Sequence, residues 1–182
     1  PEAKLLDISD AFDYSLSEQL STLGVAPDAR FPHQVVVAEG IPFRVATSSE
    51  RNVAVCGKDE GVVEIPVGRK ASEVFALVSL RLPIMDEPSY GGGRRWRITR
   101  PHRVSIEVEY DDGTVDRSLP YRLASGTHEV VSGLDVYCVA TDPTRRIRSV
   151  RVRGGLRVGS VGLCGLTLNT TSRRLFPQSV SI

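Results

Sequence analysis

The feature that most constrains this chain is a succession of short apolar runs that begins at Gln34 and continues almost to the C-terminus. The runs are rich in Val, Ile, Leu and Phe, and turn-forming Gly, Pro, Asp and Asn residues separate them. Runs of this kind, with no helical crossovers between them, are typical of antiparallel strands. About ten such runs predict an all-β domain, an antiparallel β-sandwich rather than an α/β sheet.

Side-chain patterns within the runs predict where individual strands lie. Apolar and polar residues alternate in 104–110, so this strand is expected to cover the core with one face and leave the other wet. Asp112-Gly113 then predicts a hairpin turn. Residues 74–78 are apolar throughout, which predicts a central strand covered on both sides. The glycines of the last long run predict a bend or the close approach of another backbone; they are Gly159, Gly162 and Gly165.

The N-terminal thirty residues have a different pattern from the rest of the chain. Leu16, Leu20 and Leu23 are spaced to form one apolar face of a short helical turn. We therefore predict a single sandwich of jelly-roll type over residues 1–182, with this turn near its N-terminus.

Composition limits the partners and the cellular setting. The 182 residues carry a net charge of +1, so nucleic acid is not an expected partner, and no apolar run is long enough to span a membrane. The chain begins at Pro1 and contains one methionine, Met85, so we expect a piece processed or excised from a longer polypeptide.

The three cysteines lack the close paired spacing of metal sites. Cys138 and Cys164 lie inside apolar runs, and Cys56 is distant from both. Buried free thiols are the favoured interpretation, and one disulfide is the alternative.

The order of several segments resembles accessory β-sandwich domains of bacterial carbohydrate-active proteins, the galactose-binding-domain jelly rolls. The segments are LLDISDAFD at 5–13, GIPFRV at 40–45, EIPVGRKASEVFALVSL at 64–80, VSIEVEYDDGTV at 104–115 and IRSVRVRGGLRVGSVGLCGLTL at 147–168. The resemblance covers roughly residues 5 to 170. It implies a non-catalytic, carbohydrate-associated module of an exported protein, extracellular or at the cell surface. The alternative is a structural or docking sandwich that packs against a parent enzyme or partner protein.

The segment from Met85 to Arg103 contains the best candidate ligand-binding residues. It holds the only tryptophan, three consecutive glycines and five arginines. A tryptophan flanked by arginines can form a platform on which a sugar ring stacks. The candidates are Tyr90, Arg94, Arg95, Trp96 and Arg97. The favoured alternative is an edge strand with Trp96 packed inward and the arginines outward, since tryptophan is highly buried on average.

Acidic residues near the N-terminus are the candidates for a metal site. Asp7 and Asp10, with Asp13, could supply oxygen ligands to a structural calcium ion, which such sandwiches sometimes carry. Solvated or helix-capping acids are the favoured alternative. No other cofactor is expected.

No catalytic centre is visible, so we expect a protein that is not an enzyme. The three histidines are scattered, and HExxH and GxSxG motifs are missing from the sequence. The densest carboxylate group is Glu107, Glu109, Asp111 and Asp112, where the two glutamates are expected to face solvent and the two aspartates to form a turn. A basic run at 145–157 is interpreted as a solvated outer face, with an anion-binding surface as the alternative.

Overall fold

The computed structural model describes residues 2–20, 30–56, 61–81, 104–118, 120–123, 134–154 and 160–176. In these ranges nearly all regular structure is β-strand, and every strand pair is antiparallel. The predicted all-β sandwich is therefore confirmed. The short helical turn near the N-terminus is also present, as a 3-10 turn at Ser9–Ala11 and a helix, α1, at Leu16–Leu20.

Twelve strands lie in the described residues. They are β1 Ala3–Leu6, β2 Val35–Ala38, β3 Ile41–Arg44, β4 Ala54–Cys56, β5 Val62–Lys70, β6 Glu73–Arg81, β7 Val104–Tyr110, β8 Val115–Asp116, β9 Tyr121–Arg122, β10 Leu134–Ala140, β11 Arg146–Gly154 and β12 Ser160–Asn169.

The strands form two main sheets and a separate hairpin. The central sheet has the order β1-β12-β6-β10-β9, and β4 pairs with the same edge of β12 as β1 does, further toward its start. The outer sheet has the order β5-β11-β7-β8, and among the described strands β2 pairs only with β3.

The main core lies between the central and outer sheets. Alternate residues of β7 point into it, namely Val104, Ile106, Val108 and Tyr110, as the alternation predicts. Val150 and Val152 of β11 face the same core beside β7. Burial of these side chains supplies the main force that holds the two sheets together.

A second core lies on the other face of the central sheet, where α1 and the β2–β3 hairpin cover it. Phe75 and Leu77 of β6 belong to this second core, whereas Val74, Ala76 and Val78 belong to the main one. The prediction that 74–78 is a central strand covered on both sides is confirmed. The hairpin layer was not predicted, because β2 reads as one more strand of a two-layer sandwich.

Glycines occupy the positions where turns and close packing demand them. Gly113 has a φ of +82° in the β7–β8 turn, which confirms the predicted hairpin. A Cβ on Gly162 would lie 2.5 Å from the side chains of Ser79 and Val53, and one on Gly165 would lie 3.1 Å from Arg44 O. The predicted close approach is confirmed at both glycines, and Gly159 lies outside the described residues.

In the described residues of 114–122 the strands are short, since β8 and β9 have two residues each. Asp116 ends β8 because its Oδ1 accepts hydrogen bonds from the backbone N–H and the hydroxyl of Ser118. This side-chain turn replaces the next ladder bonds.

Across the part of the chain that the structure describes, no helix is long and apolar enough to cross a membrane.

Candidate functional site

The strand registers bring four connections of the chain, two of them long, to one end of the sandwich. Ser160 pairs with Arg81, Leu134 pairs with Ser79, and Gly154 pairs with Val104. The connections 57–60, 82–103, 124–133 and 155–159 therefore all begin and end at the same end of the sheets. We call this the loop end.

Two contacts show that the loop ends of the two sheets coincide. The Cys56 thiol of β4 donates to the carbonyl of Val152 in β11 across 3.2 Å. A Cβ on Gly154 would lie 3.3 Å from both Cys56 O and a methyl carbon of Val161. The strand ends that border the loop end thus form one continuous edge.

The five candidate ligand-binding residues of the sequence all lie outside the described residues. Tyr90, Arg94, Arg95, Trp96 and Arg97 belong to the connection 82–103, which joins β6 of the central sheet to β7 of the outer sheet. The structure therefore fixes where this connection leaves and re-enters the sandwich, at Arg81 and Val104.

Buried polar contacts hold α1 against the strands that border the loop end. The Gln19 amide donates from Nε2 to the carbonyl of Ser160 (3.2 Å), and its Oε1 accepts from the Ser160 hydroxyl (3.0 Å). Asn52 Oδ1 accepts from the backbone N–H of Leu16 at 2.6 Å. Asn52 Nδ2 is buried without a partner among the described residues. Because Gln19 and Ser160 are distant in sequence, their contact has no local sequence signal.

The opposite end of the sandwich has short turns that are closed by their own side chains. Arg145 lies 3.9 Å above the centre of the Tyr110 ring and pairs with Asp112 at 2.6 Å. The Tyr110 hydroxyl accepts from the backbone N–H of Asp142, and the Asp142 carboxylate binds the N–H and hydroxyl of Thr144.

Hydrogen bonding lowers the pKa of Asp112 and of Asp142 at this end. For Asp112, the backbone and hydroxyl of Thr114 and then Arg145 lower the pKa to about 2. The hydroxyl and backbone of Thr144 lower the pKa of Asp142. Burial raises the pKa of the Tyr110 hydroxyl. Asp112 is thus an ionised turn-former, as the sequence predicts, and Asp111 pairs with Arg146 at 3.5 Å.

Glu107 and Glu109 lie on the outer face of β7, as alternation predicts, but they do not face open solvent. Their side chains are only 11% and 13% exposed because arginines cover them. Glu107 contacts Arg117 at 3.3 Å and Arg153 at 3.6 Å. The expectation of a wet outer face is wrong at these two positions, since cross-strand ion pairs replace water there.

The basic run of β11 is neutralised in the same way. Arg151 bonds to Glu64 at 3.1 Å and also to Glu109, which Arg148 contacts at 3.3 Å. Hydrogen bonds from Arg151 and Ser149 lower the pKa of the Glu64 carboxyl. Arg145, Arg146, Arg148, Arg151 and Arg153 all have acidic partners, and Arg157 lies outside the described residues. These pairs favour a structural outer face.

The aspartates proposed for calcium do not converge on one point. Asp7 Oδ1 accepts from the N–H and hydroxyl of Ser9, and Oδ2 lies 3.0 Å from Arg44, contacts that together lower the pKa of Asp7. Asp10 is exposed on the 3-10 turn, and Asp13 accepts from the Val55 N–H. Within the described ranges, no three His, Cys, Asp or Glu side chains are placed to hold a metal ion. A calcium ion at Asp7 and Asp10 stays a prediction.

The three cysteines are buried and free, which confirms the favoured interpretation. Burial raises the pKa of the Cys56 thiol to about 11, and that of the Cys138 and Cys164 thiols to about 12. Thiols held in the neutral form are poor nucleophiles and poor metal ligands. Their role is to fill the two cores.

Comparison of the sequence with models of known protein families and with curated proteins finds no match.

Proposed function

We propose that this chain is a non-catalytic, carbohydrate-binding module of an exported bacterial protein, built as a jelly-roll sandwich that binds its ligand at the loop end. The observation that carries the proposal is the strand register. It gathers four connections at one end, including the connection 82–103 with its tryptophan and arginines.

β-Sandwiches divide rigidity and variation between their strands and their connections. Paired strands form a fixed scaffold, and connections at their ends carry the recognising side chains. Trp96 offers an apolar ring face for a sugar, and Arg94, Arg95 and Arg97 offer hydrogen-bond donors to hydroxyl or carboxylate groups. The buried contacts of Gln19 with Ser160 fix α1 to the strand end where β12 leaves the loop end.

The carboxylates that pair with arginines support a non-catalytic role. General acid–base catalysis needs a carboxyl group within reach of a substrate and with a pKa near the working pH. Glu107 and Glu109 are covered by arginines, and the pKa of Asp112 is about 2. These ion pairs link neighbouring strands and turns of the outer sheet, so the carboxylates in them already have partners.

Affinity gel electrophoresis with neutral and acidic polysaccharides tests the proposal. We expect at least one polysaccharide to retard the chain, and Trp96→Ala to weaken that binding by about 10- to 100-fold, since one aromatic stack contributes roughly 1–3 kcal/mol. The melting temperature should stay close to that of the parent chain, because a platform residue contributes little to the core.

Tyr121→Ala is the matched control. Tyr121 is 52% exposed on the edge strand β9, so this change also removes an exposed aromatic ring. It should leave retardation unchanged. Lack of retardation by every polysaccharide would contradict the proposal and favour a structural or docking module. A loss of about 3–5 kcal/mol in unfolding free energy for Trp96→Ala would instead identify a core residue.

A further inference from the structure

The β2–β3 hairpin presents an apolar outer face. Val35 and Val37 of β2 are 49% and 63% exposed, while Val36 and Ala38 point into the second core. Pro42 of β3 lies beside Val37 on the outer face. Exposed valines on neighbouring positions of one strand are a common feature of surfaces that bind another protein.

The backbone of β2 is open along the edge that faces away from β3. The Val45 N–H donates to Gln34 O at 2.9 Å, so Gln34 and Val45 form a bonded pair. Bonded residues alternate in an antiparallel ladder, which directs the N–H and C=O groups of Val35 and Val37 away from β3. Among the described residues, no strand pairs with this edge.

The other edge of the hairpin is closed to further pairing. Pro42 has no N–H to donate, and its carbonyl accepts from the Thr167 hydroxyl at 2.6 Å. The β3 edge of the hairpin therefore excludes another strand, whereas the β2 edge can still pair with one. Nothing on β2 itself, neither a proline nor a charged side chain, protects the open edge.

We propose that the open edge of β2 pairs antiparallel with β2 of a second copy of this chain. A twofold axis through Val36 sets Val35 of each copy opposite Val37 of the other, and both residues direct their backbone groups across the axis. Four backbone hydrogen bonds form, and the two hairpins become one four-stranded sheet. Sheets of three or more strands are far more stable than isolated hairpins.

The charges at the two ends of β2 favour a second copy in this orientation. Glu39 is exposed at the turn after β2, and Arg30 and His33 are exposed before it. Antiparallel pairing brings Glu39 of each copy to the basic end of the other. Parallel pairing would set like charges together, so the charges select the antiparallel arrangement.

Sedimentation equilibrium of the full chain, from micromolar to near-millimolar concentration, tests the proposal. We expect a reversible monomer–dimer equilibrium, because a contact of two short strands is small. Val37→Lys should weaken dimerisation at least about tenfold by placing two ammonium groups on the shared face. Val115→Lys is the matched control, since Val115 is also an exposed edge-strand valine, and it should have no effect.

A charge-exchange pair makes the orientation itself testable. Glu39→Lys should weaken dimerisation, and adding His33→Glu should restore it. At concentrations where the parent chain is monomeric, melting temperatures of all variants should match its own because every changed side chain is exposed. A chain that stays monomeric throughout, or that is weakened equally by Val37→Lys and Val115→Lys, would overturn the proposal. If the chain stays monomeric and still binds a glycan, the dimer proposal fails and the proposed function stands.

Discussion

At the scale of single residues, the turns of this protein are closed by one repeated device. An aspartate or asparagine accepts hydrogen bonds from the N–H and hydroxyl of a serine or threonine two positions later. The five pairs are Asp7 with Ser9, Asp112 with Thr114, Asp116 with Ser118, Asp142 with Thr144, and Asn169 with Thr171. Such turns depend on neighbours in sequence, so they are predictable from it.

Asp112 gives this device a pH dependence. Its pKa falls from the ordinary 3.8 to about 2 in the folded chain, so its stabilising contribution is complete above the unfolded pKa. The contribution is lost as the pH falls through the folded pKa. Asp112→Asn should therefore lower the unfolding free energy at neutral pH, and the two stability curves should converge between about pH 5 and pH 2.

Urea denaturation at a series of pH values measures this convergence. Asp111→Asn is the matched control in the same turn, because the Asp111 contact with Arg146 is longer, at 3.5 Å. We expect a smaller change for it at neutral pH. Curves for Asp112→Asn and the parent chain that stay parallel down to about pH 2 would contradict the assignment.

At the scale of elements, a buried carboxylate fixes the C-terminal segment to the central sheet. Glu73, at the start of β6, accepts from Asn169 Nδ2 and from the backbone N–H groups of Leu175 and Phe176, at 2.8 to 2.9 Å. The Phe176 ring packs edge-on against Phe75 with 5.8 Å between ring centroids. The segment 170–176 is thereby tied across the end of the sheet opposite the loop end.

Glu73→Gln should loosen this segment. Glutamine has one acceptor oxygen where glutamate has two, so a buried N–H loses its partner at a cost of about 1–3 kcal/mol. Hydrogen exchange should become faster at the amides of Leu175 and Phe176, and should stay unchanged at Thr144, whose N–H binds Asp142. Equal exchange at Leu175 in both proteins would show that Glu73 does not anchor the segment.

Some elements of this fold are predictable from the sequence and others are not. Strands β6 and β7 are predictable because the run at 74–78 and the alternation at 104–110 directly report which faces are covered. The hairpin layer is not, since Val36 and Phe43 cover the central sheet rather than extend it. A periodicity reports burial and does not report the partner that provides it. The anchoring role of Glu73 has no sequence signal, because no apolar pattern reports the burial of a carboxylate and its partners Leu175 and Phe176 are far along the chain.

At the scale of the whole molecule, the two ends of the sandwich differ in kind. Short turns closed by side chains lie at one end, and four connections, including 82–103, begin and end at the other. Composition alone selects Trp96 and its arginines as candidates, because an aromatic–basic cluster is conspicuous in any sequence. The end of the sandwich at which their connection begins and ends follows only from the register of strands far apart in the chain, such as Arg81 with Ser160.

Nuclear magnetic resonance can show whether carbohydrate binds at the loop end. The isotope-labelled chain is titrated with the polysaccharide that retards it most in affinity gels. Amide shifts should move at the strand ends that border the loop end, at Arg81, Val104 and Ser160, and should stay fixed at Thr114 and Thr144. Shifts that move at Thr114 and Thr144 while Arg81 and Ser160 stay fixed would contradict the account.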